Sequence, residues 1–183
     1  MDEPFFTIGH STRAVDELAG LLLPNEVKRI VDVRTVPRSR TNPQYNRDTL
    51  PEALAAHGIG YEHIAALGGL RGHRADIAPE INGWWDNASF HNYADYAMTE
   101  PFRAGLAQLI EAGRRERCAI MCAEAVWWRC HRRIIADYLL AAGEAVFHIV
   151  SSDVPEPALL TAEAVPAPGG GLAYPARQRG PLA

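Results

Sequence analysis

Cys122 and Glu124 stand two residues apart where an apolar run ends, and Cys130-His131-Arg132 opens the next helical pattern. Two other apolar runs end the same way, the first at His10-Ser11 and the second at Asp32-Val33-Arg34. Side chains two apart on a strand share a face, so Cys122 neighbours Glu124 and Asp32 neighbours Arg34. His10, Asp32 and Glu124 are general acid and base candidates, and Cys122 and His131 complete the candidate catalytic set. Cys130, His131 and Arg132 fall at a helix start, where free N–H groups and the helix dipole favour an anion. Arg34 and Arg132 suit bidentate gripping of such an anion. Ser11, Arg38, Ser39, Gly68 and Gly69 join Arg34, Cys130 and Arg132 as substrate-binding candidates. Several also have a purely structural alternative. Asp32 and Arg34 can form an internal ion pair, Cys122 can be a small buried hydrophobe, and glycines 68 and 69 can simply turn the chain. Glu124, flanked by Cys122-Ala123 and Ala125-Val126-Trp127-Trp128, is expected in apolar surroundings where a carboxylate needs a partner.

Other chemistries fit the spacing poorly. Cys130 and His131 are adjacent in a predicted helix, so their side chains project about 100° apart, and no paired C-x2-C is present. No metal is expected. A thiolate loop of the C-x5-R type fails, because Trp128 and Ala136 occupy the sixth positions after Cys122 and Cys130. Neither a Walker A motif nor G-x-G-x-x-G occurs, so no tightly held cofactor is expected.

The elements that must position these residues alternate strand and helix, the pattern of a mostly parallel sheet covered on both faces. Strands are predicted at Phe5–Gly9, Ile30–Val36, Gly60–Ile64, Ala119–Ala123 and Ala145–Val150. Helices are predicted after a Ser11 or Thr12 cap, over Thr49–His57, from Pro101 to Gly113, and over Cys130–Ala142. From Leu67 to His91 the periodicity breaks down into Gly, His, Asn and Trp, and a long loop is expected after the third strand. The expected fold is a three-layer α/β domain with a five-stranded, mainly parallel sheet in the order 3-2-1-4-5. Ligands bind such sheets at the carboxyl ends of the strands where the order reverses, here between strands one and four. Residues 1–150 form the domain. Residues 151–183, with six Pro and four Gly, are expected to be a C-terminal appendage.

Together Thr7-Ile8-Gly9-His10-Ser11, Asp32-Val33-Arg34 with Pro37 and Ser39, Leu67-Gly68-Gly69, and Cys122-x-Glu124-x5-Cys130-His131-Arg132 resemble the domain-of-unknown-function family 488. The resemblance runs from about Thr7 to Val150. It implies a compact α/β domain whose site lies at these motifs, and it carries no established activity.

The composition, 48% hydrophobic and 22% charged with a formal net charge of -4, is that of a globular protein. Nucleic acid as a partner is open, but not through bulk charge. Basic residues nevertheless cluster, six between Lys28 and Arg47 and six between Arg114 and Arg133, and Lys28 is the only lysine among 18. No apolar run approaches the roughly 20 residues of a membrane span, so no membrane partner is expected. Three cysteines fit a reducing compartment. The start, Met1-Asp2-Glu3-Pro4, is acidic where a secretory signal is basic, so the expected location is cytoplasmic. The leading expectation is an enzyme using acid/base chemistry on a phosphate-bearing, possibly nucleotide-like ligand, by hydrolysis or group transfer, with Trp84, Trp85, Trp127 and Trp128 available to stack a base. Its alternatives are a non-catalytic nucleotide- or nucleic-acid-binding module and a thiol-redox protein using Cys122 and Cys130. The oligomeric state is left open.

Overall fold

The computed structural model describes residues 2–178. Five parallel strands, β1 (Phe5–Gly9), β2 (Arg29–Asp32), β3 (Gly60–His63), β4 (Cys118–Cys122) and β5 (Val146–Ile149), form the sheet. A short antiparallel β6 (Glu156–Pro157) pairs on β5. The order is β3-β2-β4-β1-β5-β6. The mainly parallel α/β architecture is therefore as expected, with β4 and β1 exchanged and one strand added. β1 and β4 remain neighbours, in register from Phe6 opposite Ala119 to Gly9 opposite Cys122.

Helices α1 (Val15–Leu22) and α2 (Leu50–Ala55) cover one face, while α3 (Ala88–Tyr96), α4 (Glu100–Arg115) and α5 (Arg132–Ala141) cover the other. Alternation along the strands feeds both layers. Phe6, Ile8, Ile30, Ala119 and Met121 pack under α1 and α2. Phe5, Val31, Val33, Cys118, Ile120 and Cys122 pack under the other three helices. The second strand stops at Asp32, earlier than expected, because Asp32 and Arg34 turn the chain out of the ladder with a side-chain hydrogen bond to the Arg34 N–H. β1 and β4 contribute only buried residues, as central strands do.

The irregular stretch after β3 gives way to α3 at Ala88, inside the expected loop. The Asn87 side chain caps α3 by accepting from the Ser89 and Phe90 N–H groups. Tyr93 and Tyr96 on α3 donate to the Leu67 and Ala66 carbonyls at 2.7 and 2.6 Å, tying the loop back to the end of β3.

The segment after Ser151, expected as an appendage, lies on the domain as far as it is described. After β6, a small hairpin of β7 (Val165–Pro166) and β8 (Leu172–Ala173) leads to Tyr174, which is fully buried. Its hydroxyl donates to Asp137 on α5 at 2.8 Å, and its N–H donates to the buried Asn82 at 3.0 Å. Residues 179–183 fall outside the described part. Among the described residues no helix is long and apolar enough to cross a membrane.

Candidate functional site

β1 and β4 end side by side, and their ladder continues past both strands: the His10 N–H donates to the Cys122 carbonyl and the Ser11 N–H to the Ala123 carbonyl. A Cβ on Gly9 would stand 1.7 Å from the Glu124 carbonyl oxygen, so only glycine lets the two chains run this close. His10 is buried and stacked on Tyr45 with ring centroids 4.0 Å apart. Its Nδ1–H donates to the Ser11 carbonyl at 2.7 Å, which leaves the Nε2 lone pair 3.4 Å from Arg34 Nη1. Burial, aided by the Arg34 and Arg132 charges, lowers the His10 pKa to about 4. The ring is a neutral acceptor at neutral pH.

At the end of β2, the Asp32 carboxylate takes a two-pronged ion pair from Arg34, at 2.9 and 2.7 Å, and a hydrogen bond from the Tyr61 hydroxyl at 2.6 Å. Arg34 Nη2 also donates to the Tyr45 carbonyl at 2.7 Å. Asp32 is thereby a buried strut, occupied on both oxygens, and only Nη1 of Arg34 faces the ligand space.

The two cysteines meet where β4 runs into α5. Cys122 Sγ and Cys130 Sγ are 2.6 Å apart. Arg132, with no exposed surface, places Nε 3.0 Å from Cys122 Sγ and 3.4 Å from Cys130 Sγ. Its other nitrogens donate to Thr7 Oγ1 and the Glu124 carbonyl. His131 donates Nε2–H to the Val33 carbonyl at 2.8 Å, which turns Nδ1 toward Cys130 Sγ at 3.5 Å. The Arg132 N–H, at the start of α5, lies 3.5 Å from the same sulfur. Burial alone would push the Cys130 thiol up. The hydrogen bond from Cys122 and the charges of His131 and Arg132 outweigh it and hold Cys130 well below the ordinary thiol range. Burial and the neighbouring Cys130 charge push Cys122 well above it. Of the two sulfurs, Cys130 is the one whose surroundings favour the ionised form.

These groups floor a cleft of about 480 Å³ lined by His10, Arg34, Cys122, Glu124, Cys130 and His131, with Arg38, Ser39 and Gly69 also on its wall. Glu124 differs from expectation. Its carboxylate is exposed at the rim, because the backbone turns outward after Cys122, and its carbonyl is what Arg132 holds. Asp32, Ser11, Gly68 and Arg132 support the cleft from behind. A Cβ on Gly68 would press within 2.5 Å of Thr35 Oγ1, and one on Gly69 within 2.5 Å of His131 Nδ1. The Leu67-Gly68-Gly69 turn thus packs closely against Thr35, just beyond β2, and against His131. Ser39 Oγ accepts from the Asn42 N–H within its own loop.

None of the four tryptophans lines this cleft. Trp85 packs with Phe90 and Tyr174, and Trp127 stacks on His148. Tyr45, Tyr61, Val36, Leu70 and Arg129 belong to the site or its supports without standing in a recognisable chemical motif, and Thr7, which opens the first motif, was not among the expected site residues. The alternation of β1 offered a signal for Thr7, whose face it shares with neither Phe6 nor Ile8. Among the described residues no group of three or more His, Cys, Asp or Glu side chains converges as a metal-binding set.

A parallel α/β sheet with a paired-cysteine cleft at the ends of its central strands defines the class. Residues 14–139, over two thirds of the chain, match the family model "Domain of unknown function DUF488", and the chain belongs to that family. The matched region begins after Thr7–Ser11 and contains the other three motifs. No curated protein and no solved structure matches the chain.

Proposed function

We propose that the cleft is the active site of an enzyme for hydrolysis or group transfer on a small anionic, phosphate-bearing substrate, with Cys130 as its nucleophile. One observation carries the reading: the N-terminus of α5, His131 and Arg132 all converge on Cys130 Sγ. The anion held at this helix start is the protein's own sulfur, which is what a nucleophilic cysteine requires. Arg34 Nη1, Arg38 and Arg129 face the cleft against the single carboxylate of Glu124, which favours an anionic substrate. In this reading the Cys130 sulfur bonds to the electrophilic atom of the substrate as the bond to the leaving group breaks. His10 Nε2 then accepts a proton from the water that frees the sulfur again.

A second reading dispenses with the covalent step and uses His10 as base toward a directly attacking water. The fixed tautomer of His10 favours it. Acid-quenched mixtures with activated anionic acyl and phosphoryl compounds, read by intact mass, separate the two. An adduct on Cys130, absent in Cys130→Ser, is the expected result. Turnover that survives Cys130→Ser points to His10, and binding without turnover in any variant leaves a non-catalytic module.

A further inference from the structure

We infer that Cys130 and Cys122 are an attacking and a resolving thiol that together reduce a hydroperoxide and close a disulfide. The inference rests on Cys130 being the thiolate of the cleft, and it adds a partner and a second activity to that group. A disulfide bond is about 2.05 Å long, and the two sulfurs stand 2.6 Å apart. The two sulfurs need to close by only about 0.5 Å to bond. Cys118, the third cysteine, sits at the other end of β4, where burial raises its thiol to about 12.

The chemistry balances with the peroxide as sole oxidant. The Cys130 thiolate attacks one oxygen of the O–O bond, which breaks. The departing alkoxide or hydroxide takes a proton and leaves as alcohol or water. Cys130 is now a sulfenic acid. The Cys122 sulfur displaces its hydroxyl, which leaves as water with the proton of Cys122. Two thiols lose two electrons, and one peroxide gains them. An external dithiol reverses the oxidation by exchange.

Two features shape the reaction. Cys130 is 6% exposed and Cys122 3%, which assigns attack to the sulfur nearer the opening. The mouth of the cleft carries Val36 and Leu70, 61% and 78% exposed, with Phe90 beside them. An apolar rim of this kind favours an organic hydroperoxide over hydrogen peroxide itself. Arg132 adds a thermodynamic consequence. In the reduced state its buried guanidinium neutralises the thiolate, whereas in the disulfide that charge has no counterion. The reduced form is the stabilised one, so the disulfide is oxidising and easily reduced.

The test treats the reduced full chain with one equivalent of cumene hydroperoxide or hydrogen peroxide, followed by thiol counting and intact mass. The wild type should lose two thiols and two hydrogens, regain both with dithiothreitol, and melt at a lower temperature when oxidised. Cumene hydroperoxide should react faster than hydrogen peroxide. Cys122→Ser and Cys122→Ala, each checked for folding by circular dichroism, should stop at a Cys130 sulfenic acid that dimedone traps. Cys118→Ser should behave as wild type. Over-oxidation of Cys130 in the wild type with Cys122 still free would overturn the inference, as would an oxidised form that melts higher than the reduced one. If Cys130 forms substrate adducts yet no disulfide closes, only this inference fails. If Cys130 shows no thiolate reactivity, the proposed function fails with it.

Discussion

Arg132 Nε lies 3.0 Å from Cys122 Sγ and 3.4 Å from Cys130 Sγ, in a side chain with no exposed surface. A buried guanidinium needs a compensating charge, and among the described residues Nε reaches only the two sulfurs. The remaining donors go to the neutral Thr7 hydroxyl and Glu124 carbonyl. The structure therefore ties the ionisation of a cysteine to the stability of the strand β4–helix α5 junction. Arg132→Met should raise the pH at which Cys130 alkylates and should cost about 3 kcal/mol of stability, in the range for breaking a buried charge pair. Iodoacetamide kinetics against pH, with urea unfolding of the same variant, check both. A variant that loses stability while Cys130 alkylates on an unchanged profile would separate Arg132 from the thiolate.

Gly69 touches the same sulfur at one remove. A Cβ there would press on His131 Nδ1 at 2.5 Å, so Gly69→Ala should turn the ring and weaken its hold on Cys130. The expected outcome is an alkylation profile displaced toward ordinary thiols with only a modest loss of stability. Gly9→Ala, whose Cβ would meet a backbone carbonyl at 1.7 Å, should instead destabilise the whole domain. Equal unfolding losses in the two variants would remove the distinction.

The cationic rim is testable with reagents that differ in charge. Iodoacetate should be favoured over iodoacetamide at Cys130, and the preference should shrink in Arg38→Ala and Arg129→Ala and at high salt. Both arginines are exposed, so each should contribute under about 1 kcal/mol, or roughly fivefold in the rate ratio. A ratio indifferent to both substitutions and to salt would remove the case for an anionic substrate.

Acid should unfold the domain through buried histidines. Burial lowers both His10 and His148 from 6.5 to about 4. Between these values the unfolded chain takes up protons that the native one refuses. Stability is undiminished above pH 6.5 and falls as pH drops toward 4, by about 1.4 kcal/mol per pH unit for each histidine. Urea midpoints between pH 4 and 7 should show this slope, and His148→Gln should lessen it. A flat profile would contradict neutral burial of the pair.

The end of the described chain is part of the core. Truncation before Leu172 removes the buried Leu172 and Tyr174 and leaves the buried Asp137 with the Thr161 N–H but without the Tyr174 hydroxyl. The expected loss exceeds about 2 kcal/mol, while Tyr174→Phe should lose about 1 to 2 kcal/mol. Unfolding midpoints matching the wild type would show that the segment contributes nothing.

The strands, their parallel direction and the polar residues at their ends were legible because alternation and turn residues report them locally. The order of β1 and β4 was not. α1 and α2 follow crossovers running one way across the sheet, and the helices after β3 and β4 follow crossovers running the other way. Exchanging β1 and β4 changes neither the hand nor the face of any crossover. Their adjacency survives the exchange, which is why His10 and Cys122 were placed together from sequence. Glu124 was misread because its apolar neighbours in sequence are not its neighbours in space. Trp127 turns toward His148, and the carboxylate is left at the rim. Tyr174 was hidden in a segment whose prolines and glycines carry no periodicity. Its burial depends on Asp137 and Asn82, 37 and 92 residues away in sequence.

The ionisation of Cys130 decides whether the cleft holds a nucleophile. Thiolate absorbance should be followed from acid to alkaline pH in the reduced wild type and in Cys130→Ser. A single thiolate should already be present at neutral pH and be absent from Cys130→Ser, with Cys118 and Cys122 still protonated where a free thiol titrates, near 8.5. A wild type whose first thiolate forms only at or above that pH, or persists in Cys130→Ser, would contradict it.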